Sequence, residues 1–295
     1  MTALASEPQV DLGQAGLERS EFEQVYVRFA SLEFPWDTLQ ALSFALFRTY
    51  AVPSIGGLLY RTGEFTERTQ KRYDDTNLLL DEVGFSGFES ENGRAAIRRI
   101  NQMHRSYDIS NDDMRYVLST FVVMPVRWLA EYGWRRATYE EVQAAVAYYR
   151  TLGKYMGILD IPTDYWGFSQ LMDSYERENF AFDPGARKVA DATLDLLATF
   201  RPYRWVPRPI VRRLSYALMD DHLLEAFRYP RPLAVERFVA RSGIRLRSRF
   251  VRFLPPRREA TRAVDASTQR TYPNGCEVSQ LGTFPTGCPV GADKA

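Results

Sequence analysis

Helix-start signals recur along this chain, and no stretch of it alternates apolar and polar residues as a half-buried strand would. Ser20 with Glu23, Asp37 with Gln40, Ser110 with Asp113 and Thr138 with Glu141 each place a short polar side chain three residues before an acid or amide. The first side chain satisfies an orphan amide of the opening turn, and the second reaches back to the cap. Asp183-Pro184 adds a cap followed by a proline at the first helical position. Gly84 and Gly157 stand where helices should stop. The spacing predicts helices near 21–33, 38–50, 67–83, 93–107, 111–132, 139–156, 164–179, 184–200, 209–227 and 232–254, with a kink at Pro125 in the fifth. The fold class is all-α, in one main domain over 19–255. Residues 1–18 read as a loose arm, and the turn-rich stretch 256–295 as an irregular tail on the surface or partly disordered.

Charge and hydropathy exclude several classes. Lys+Arg (38) nearly cancels Asp+Glu (37), so no basic excess marks a nucleic-acid binder. The most apolar run, Val117–Val126, is too short to span a bilayer. The amino terminus lacks the basic and apolar regions of a signal peptide. Two cysteines, Cys276 and Cys288, cannot build a disulfide scaffold, and a soluble, cytoplasmic protein is expected. Their spacing does not suit zinc, and Phe284–Cys288 matches a thiolate haem loop poorly. Paired Glu-x-x-His, His-Glu-x-x-His, phosphate-binding glycine loops and a Gly-x-Ser-x-Gly elbow are all missing.

Two helices carry candidate chemistry. His104 shares a stripe with Ala96, Ile97, Ile100 and Tyr107, while arginines occupy most of the remaining surface. It is either a core histidine bonded to a carbonyl or an axial ligand to a buried metal cofactor. The helix before it has a buried face marked by Leu79, Leu80 and Val83, which turns polar at Thr76, Asp75, Arg72 and Arg68. Buried polar groups must be paired. The cluster is therefore either a structural network, such as Arg72 with Asp75, or a set of groups aimed at a ligand. His222 reads as a helix-terminal residue. Val122, Val123, Val126, Trp128, Leu129 and Trp134 would pack a core or wall a flat cofactor.

Over residues 20–255 the chain resembles the MpaB and rubber-oxygenase (latex-clearing protein) family of helical haem b proteins. The landmarks are Arg72-x-x-x-Thr76, a histidine 28 residues later at His104, and a tryptophan-bearing apolar helix. Then come Met156–Glu178, with Gly157, Ile161-Pro162 and Tyr175, and the Arg252–Arg258 ending. The resemblance implies a globin-like multi-helix bundle around haem b, with His104 as proximal iron ligand and Arg72 and Thr76 as distal residues. It implies an oxygenase that uses dioxygen to cleave C=C bonds of an apolar, prenyl-like or lipid-like substrate. Rubber oxygenases carry lysine just before the distal threonine, where this chain has Asp75, so rubber itself is not expected as substrate. Tyr73 and Asp75 are candidates for proton handling. The alternative is a haem- or apolar-ligand-binding helical protein without turnover.

Overall fold

A computed structural model describes residues 19–201 and 203–282, and places thirteen α-helices and no strand among them. The first five are α1 (Glu21–Val27), α2 (Pro35–Thr49), α3 (Pro53–Thr62), α4 (Glu64–Glu67) and α5 (Thr69–Ser86). There follow α6 (Glu91–His104), α7 (Asn111–Tyr132), α8 (Tyr139–Tyr155), α9 (Tyr165–Asn179) and α10 (Pro184–Leu197). The last three are α11 (Arg208–Leu218), α12 (Asp221–Ala226) and α13 (Ala234–Val251).

The start signals explain most of these boundaries. The Ser20 amide donates to Glu23 Oε2 at 3.1 Å, and the Thr138 amide donates to Glu141 Oε2 at 2.7 Å, so both capping boxes close. Ser110 Oγ accepts from the Asp113 amide at 3.0 Å, and Asp183 Oδ1 from the Ala186 amide at 2.7 Å. Asp37 departs from its expected capping role. Pro35 starts α2 two residues earlier, and Asp37 is buried, accepting from Trp128 Nε1 at 3.1 Å and from Arg247 Nη1 at 3.2 Å. Gly84 does not stop α5, which continues to Ser86; the stop is Gly87, at φ +81°.

The expected helix 21–33 is two pieces, because Arg28–Glu33 is a π-turn closed by the Phe34 amide on Phe29 O at 3.0 Å. The expected helix 209–227 breaks at Met219, and Asp220 caps α12 through the Leu223 amide. α3 has a proline start, but Gly56-Gly57 conceals it in sequence. A Cβ at Gly56 would lie 2.1 Å from Tyr50 O and 2.5 Å from Ala186 Cβ, so glycine lets α3 sit against α10.

The main core surrounds α7, whose Tyr116, Phe121, Val122, Val123, Trp128 and Leu129 are all buried. A smaller core joins α2, α10 and α12 through Phe47, Val189, Leu194, Leu223 and Phe227. Between them runs a buried ionic group. Arg48 Nε donates to Glu176 Oε1 at 2.8 Å, a second guanidinium nitrogen pairs with Glu176 Oε2, and Arg48 Nη1 pairs with Asp220. Tyr116 OH also donates to Glu176 Oε1, at 3.1 Å. No single described helix is long and apolar enough to cross a membrane.

Candidate functional site

α5 packs against α6, and the two helices bring Arg72, Asp75, Thr76 and His104 to the wall of one cavity of about 250 Å³. Its other walls are mainly apolar: Leu79, Leu80, Ile100, Met103, Val117 and Phe121 are among them. Tyr107 and three residues of α3, a helix the spacing does not predict (Ile55, Leu58 and Leu59), complete much of the lining. His222 is not among the residues lining this cavity; it is exposed on α12, with its ring 5.0 Å from that of Phe180.

His104 ends α6 with its ring toward the cavity, and its Nδ1 is buried without any hydrogen-bond partner. That is not a core histidine satisfied by a carbonyl. Burial and then the positive charge of Arg72 push its pKa down to about 4. The imidazole is therefore neutral at pH 7, the form that can donate a lone pair to a metal. A histidine depressed in the folded state binds its proton more readily once unfolded, so folded stability is complete above the ordinary pKa near 6.5 and is lost as pH falls toward 4. We expect wild-type protein without added ligand to lose up to about 3 kcal/mol more stability than His104→Leu between pH 7 and 4. Urea titrations across that range measure it. Asp81, which burial raises to about 6, titrates in the same window but with the opposite sign, and it is common to both proteins.

Arg72 carries the second unusual feature. Its Nη1 donates to Thr76 Oγ1 at 2.7 Å, and Thr76 Oγ1 donates to Arg72 O at 2.9 Å. The guanidinium lies 5.3 Å from the centre of the Phe65 ring. No carboxylate among the described residues pairs with it, so of the two alternatives the structural Arg72–Asp75 network does not form. Asp75 is tied elsewhere: Lys71 Nζ lies 2.7 Å from its Oδ2, and Tyr272 OH donates to its Oδ1. Both carboxylate oxygens are thus engaged, although the residue touches the cavity. Arg68 pairs with Glu64 and is half-exposed.

Arg72 and Thr76 also line a second, adjoining cavity of about 240 Å³, which shares Leu46, Tyr50, Phe65, Leu80 and Phe121 with the first. Leu39, Leu42, Leu78, Phe85, Leu196 and Leu197 make it largely apolar. Tyr73 stands here rather than beside His104, and burial raises its phenol pKa. Thr38 is buried in this wall and its hydroxyl has no partner.

The irregular carboxyl-terminal stretch is part of the site. Thr261, Arg262, Thr268 and Gln269 line the second cavity, and Gly282 lines the first. Asp74 holds the stretch by accepting from the Thr271 amide at 2.9 Å and from its hydroxyl at 2.6 Å. Lys71 Nζ donates to Gly282 O at 3.0 Å. Lys71 and Asp74 were not singled out in the sequence, although Lys71–Asp75 has helical ion-pair spacing. Cys276 lines neither cavity; Cys288 and Phe284 lie outside the described residues.

Residues 38–253 match the family profile described as "ER-bound oxygenase mpaB/B'/Rubber oxygenase, catalytic domain". The chain is 31% identical over 259 residues to ER-bound oxygenase mpaB' of Penicillium brevicompactum, covering 82% of this chain and 61% of that protein. It is 30% identical over 233 residues to ER-bound oxygenase mpaB of Penicillium roqueforti, covering 73% of this chain and 78% of the relative. A third relative, mpaB of Penicillium brevicompactum, is 32% identical over 190 residues and is covered over 48% of its length.

Proposed function

Because the chain belongs to the mpaB and rubber-oxygenase family, we propose that it is a haem b-dependent oxygenase using dioxygen to cleave a C=C bond of an apolar, prenyl-like or lipid-like substrate. One observation carries the reading: a neutral imidazole whose Nδ1 is buried and unbonded and an arginine without a carboxylate partner share one apolar cavity. The donor set fits a macrocyclic cofactor. Among the described residues no group of three or more His, Cys, Asp and Glu side chains could hold a bare ion. An iron here would therefore bring most of its ligands with it, and His104 would supply the protein's one bond, through Nε2, since Nδ1 is the enclosed nitrogen. Haem, when bound, supplies the dioxygen chemistry.

The rest falls to this chain's own side chains. Arg72 would present N–H donors between the two cavities, where negative charge developing on oxygen would be stabilised in a site sheltered from water, and Thr76 Oγ1, accepting from Arg72 Nη1, would hold the guanidinium in place. The second cavity would hold the substrate. Its apolar walls suit a hydrocarbon chain, and the unbonded Thr38 hydroxyl would meet a single polar atom of it. Tyr73 would be the more available of the two proton-handling candidates, because Asp75 is committed to Lys71 and Tyr272.

That commitment favours a second reading, a passive haem binder, since it leaves α5 without a disengaged carboxylate base at the first cavity. The visible spectrum and aerobic turnover of a prenyl substrate distinguish the two. We expect a Soret band and oxygen-dependent product from the wild type. Arg72→Ala and Thr76→Ala should keep the band but lose about 2–4 kcal/mol of transition-state stabilisation, roughly 30- to 1,000-fold in rate. Full activity in both variants would return the pair to a structural role, and haem without turnover in the wild type would favour the passive binder.

A further inference from the structure

Helix α13 is turned the wrong way for a protein surrounded only by water. A surface helix normally lays its apolar stripe on the core and shows its charges to solvent. The inward side of α13 is instead held by polar bonds. Ser248 Oγ donates to Tyr132 O, Arg245 pairs with Glu131 at 3.2 Å, Arg247 with Asp37 at 3.2 Å, and Arg237 with Asp221. Its outward side carries Val235, Phe238, Val239, Leu246 and Phe250, all more than half exposed. At 100° per residue these five fall within about 120° of the helix circumference. Phe253, 84% exposed, follows on the same line just past the helix end.

Cations stand within this stripe and in the segment just after it. Arg249, Arg252, Arg257 and Arg258 are exposed, and none has an ion-pair partner among the described residues. From 234 to 258 the only acid is Glu236, which is already paired with Arg213. The whole chain is nearly neutral, so the positive charge is local to this face.

We propose that α13 and the segment after it form a peripheral docking surface for a lipid bilayer bearing anionic headgroups. Phenylalanine, leucine and valine would enter the acyl boundary, and the four arginines would meet the headgroup phosphates and carboxylates. Charge selects this occupant over a second copy of the chain. A two-fold contact through the same face would bring both sets of unpaired arginines together. The proposal rests on this face alone and holds whatever the cavities bind.

Flotation of the full-length protein with vesicles tests it. With phosphatidylcholine containing about 30% phosphatidylserine, most of the protein should float at low salt and much less at high salt. The double variant Phe250→Glu/Phe253→Glu should keep its circular dichroism and melting temperature while its floating fraction falls about tenfold. Replacing Arg249, Arg252, Arg257 and Arg258 by glutamine should abolish the preference for anionic over pure phosphatidylcholine vesicles. A wild type that stays at the bottom with anionic vesicles overturns the proposal. So does a phenylalanine double variant that floats like the wild type. A dimer in sedimentation that the same double variant splits would give the face to a second copy.

Discussion

His104→Ala protein is expected to purify without stoichiometric b-type haem, while His222→Ala keeps it. The contrast follows from placement. His104 sits in the apolar cavity beside Arg72, and His222 is exposed on α12 and borders neither cavity. The loss should be specific rather than a consequence of misfolding. His104 is the last residue of α6, its Nδ1 bonds to nothing, and alanine is the better helix former. Removing it strands no partner, so far-ultraviolet circular dichroism should be unchanged. Wild-type protein expressed with ample haem and still showing no Soret band would end the haem reading. Haem that persists unaltered in His104→Ala would end the ligand assignment and turn attention to Tyr107, whose side chain lines the same cavity.

The sequence makes the helices legible where a cap satisfies local hydrogen bonds, because a cap acts over three residues. Ser20, Ser110, Thr138 and Asp183 therefore mark real boundaries. Asp37 has the same local appearance, but Trp128 and Arg247, 91 and 210 residues away, give it a different role. No local pattern contains that information. The polar interruption of the α5 stripe is legible for the same reason that it matters: charge on an inward face must be accounted for. Which partner accounts for it is a tertiary fact. Asp75 goes to Lys71 on its own helix and to Tyr272 from the far end of the chain, and this leaves Arg72 to the cavities. Residues 261–282 look irregular because they form little helix of their own; their order comes from Asp74, Lys71 and Arg99, which bond to their backbone. Helix α13 is legible as a helix, but periodicity cannot say which face is inward, and here the core takes the polar one.

Glu176→Ala should be among the most damaging single substitutions in the chain, although no expectation attached to that residue. Glu176 is buried and accepts from Arg48 twice and from Tyr116. Truncating it leaves the buried Arg48 guanidinium with Asp220, whose side chain is 48% exposed. Breaking a buried pair from one side typically costs about 3–5 kcal/mol, because the surviving charge keeps its desolvation penalty without its partner. A loss of that size would remove much of the stability of an ordinary domain. The cost should fall sharply if both charges go together: Arg48→Met/Glu176→Leu replaces the pair with apolar groups of similar length and should be more stable than Glu176→Ala alone. Urea denaturation of the variants measures both statements. A Glu176→Ala loss under about 1 kcal/mol would mean that water reaches Arg48 in place of the carboxylate. A double variant no better than the single would mean that the bonds from Tyr116 and to Asp220, rather than the buried charge, set the cost.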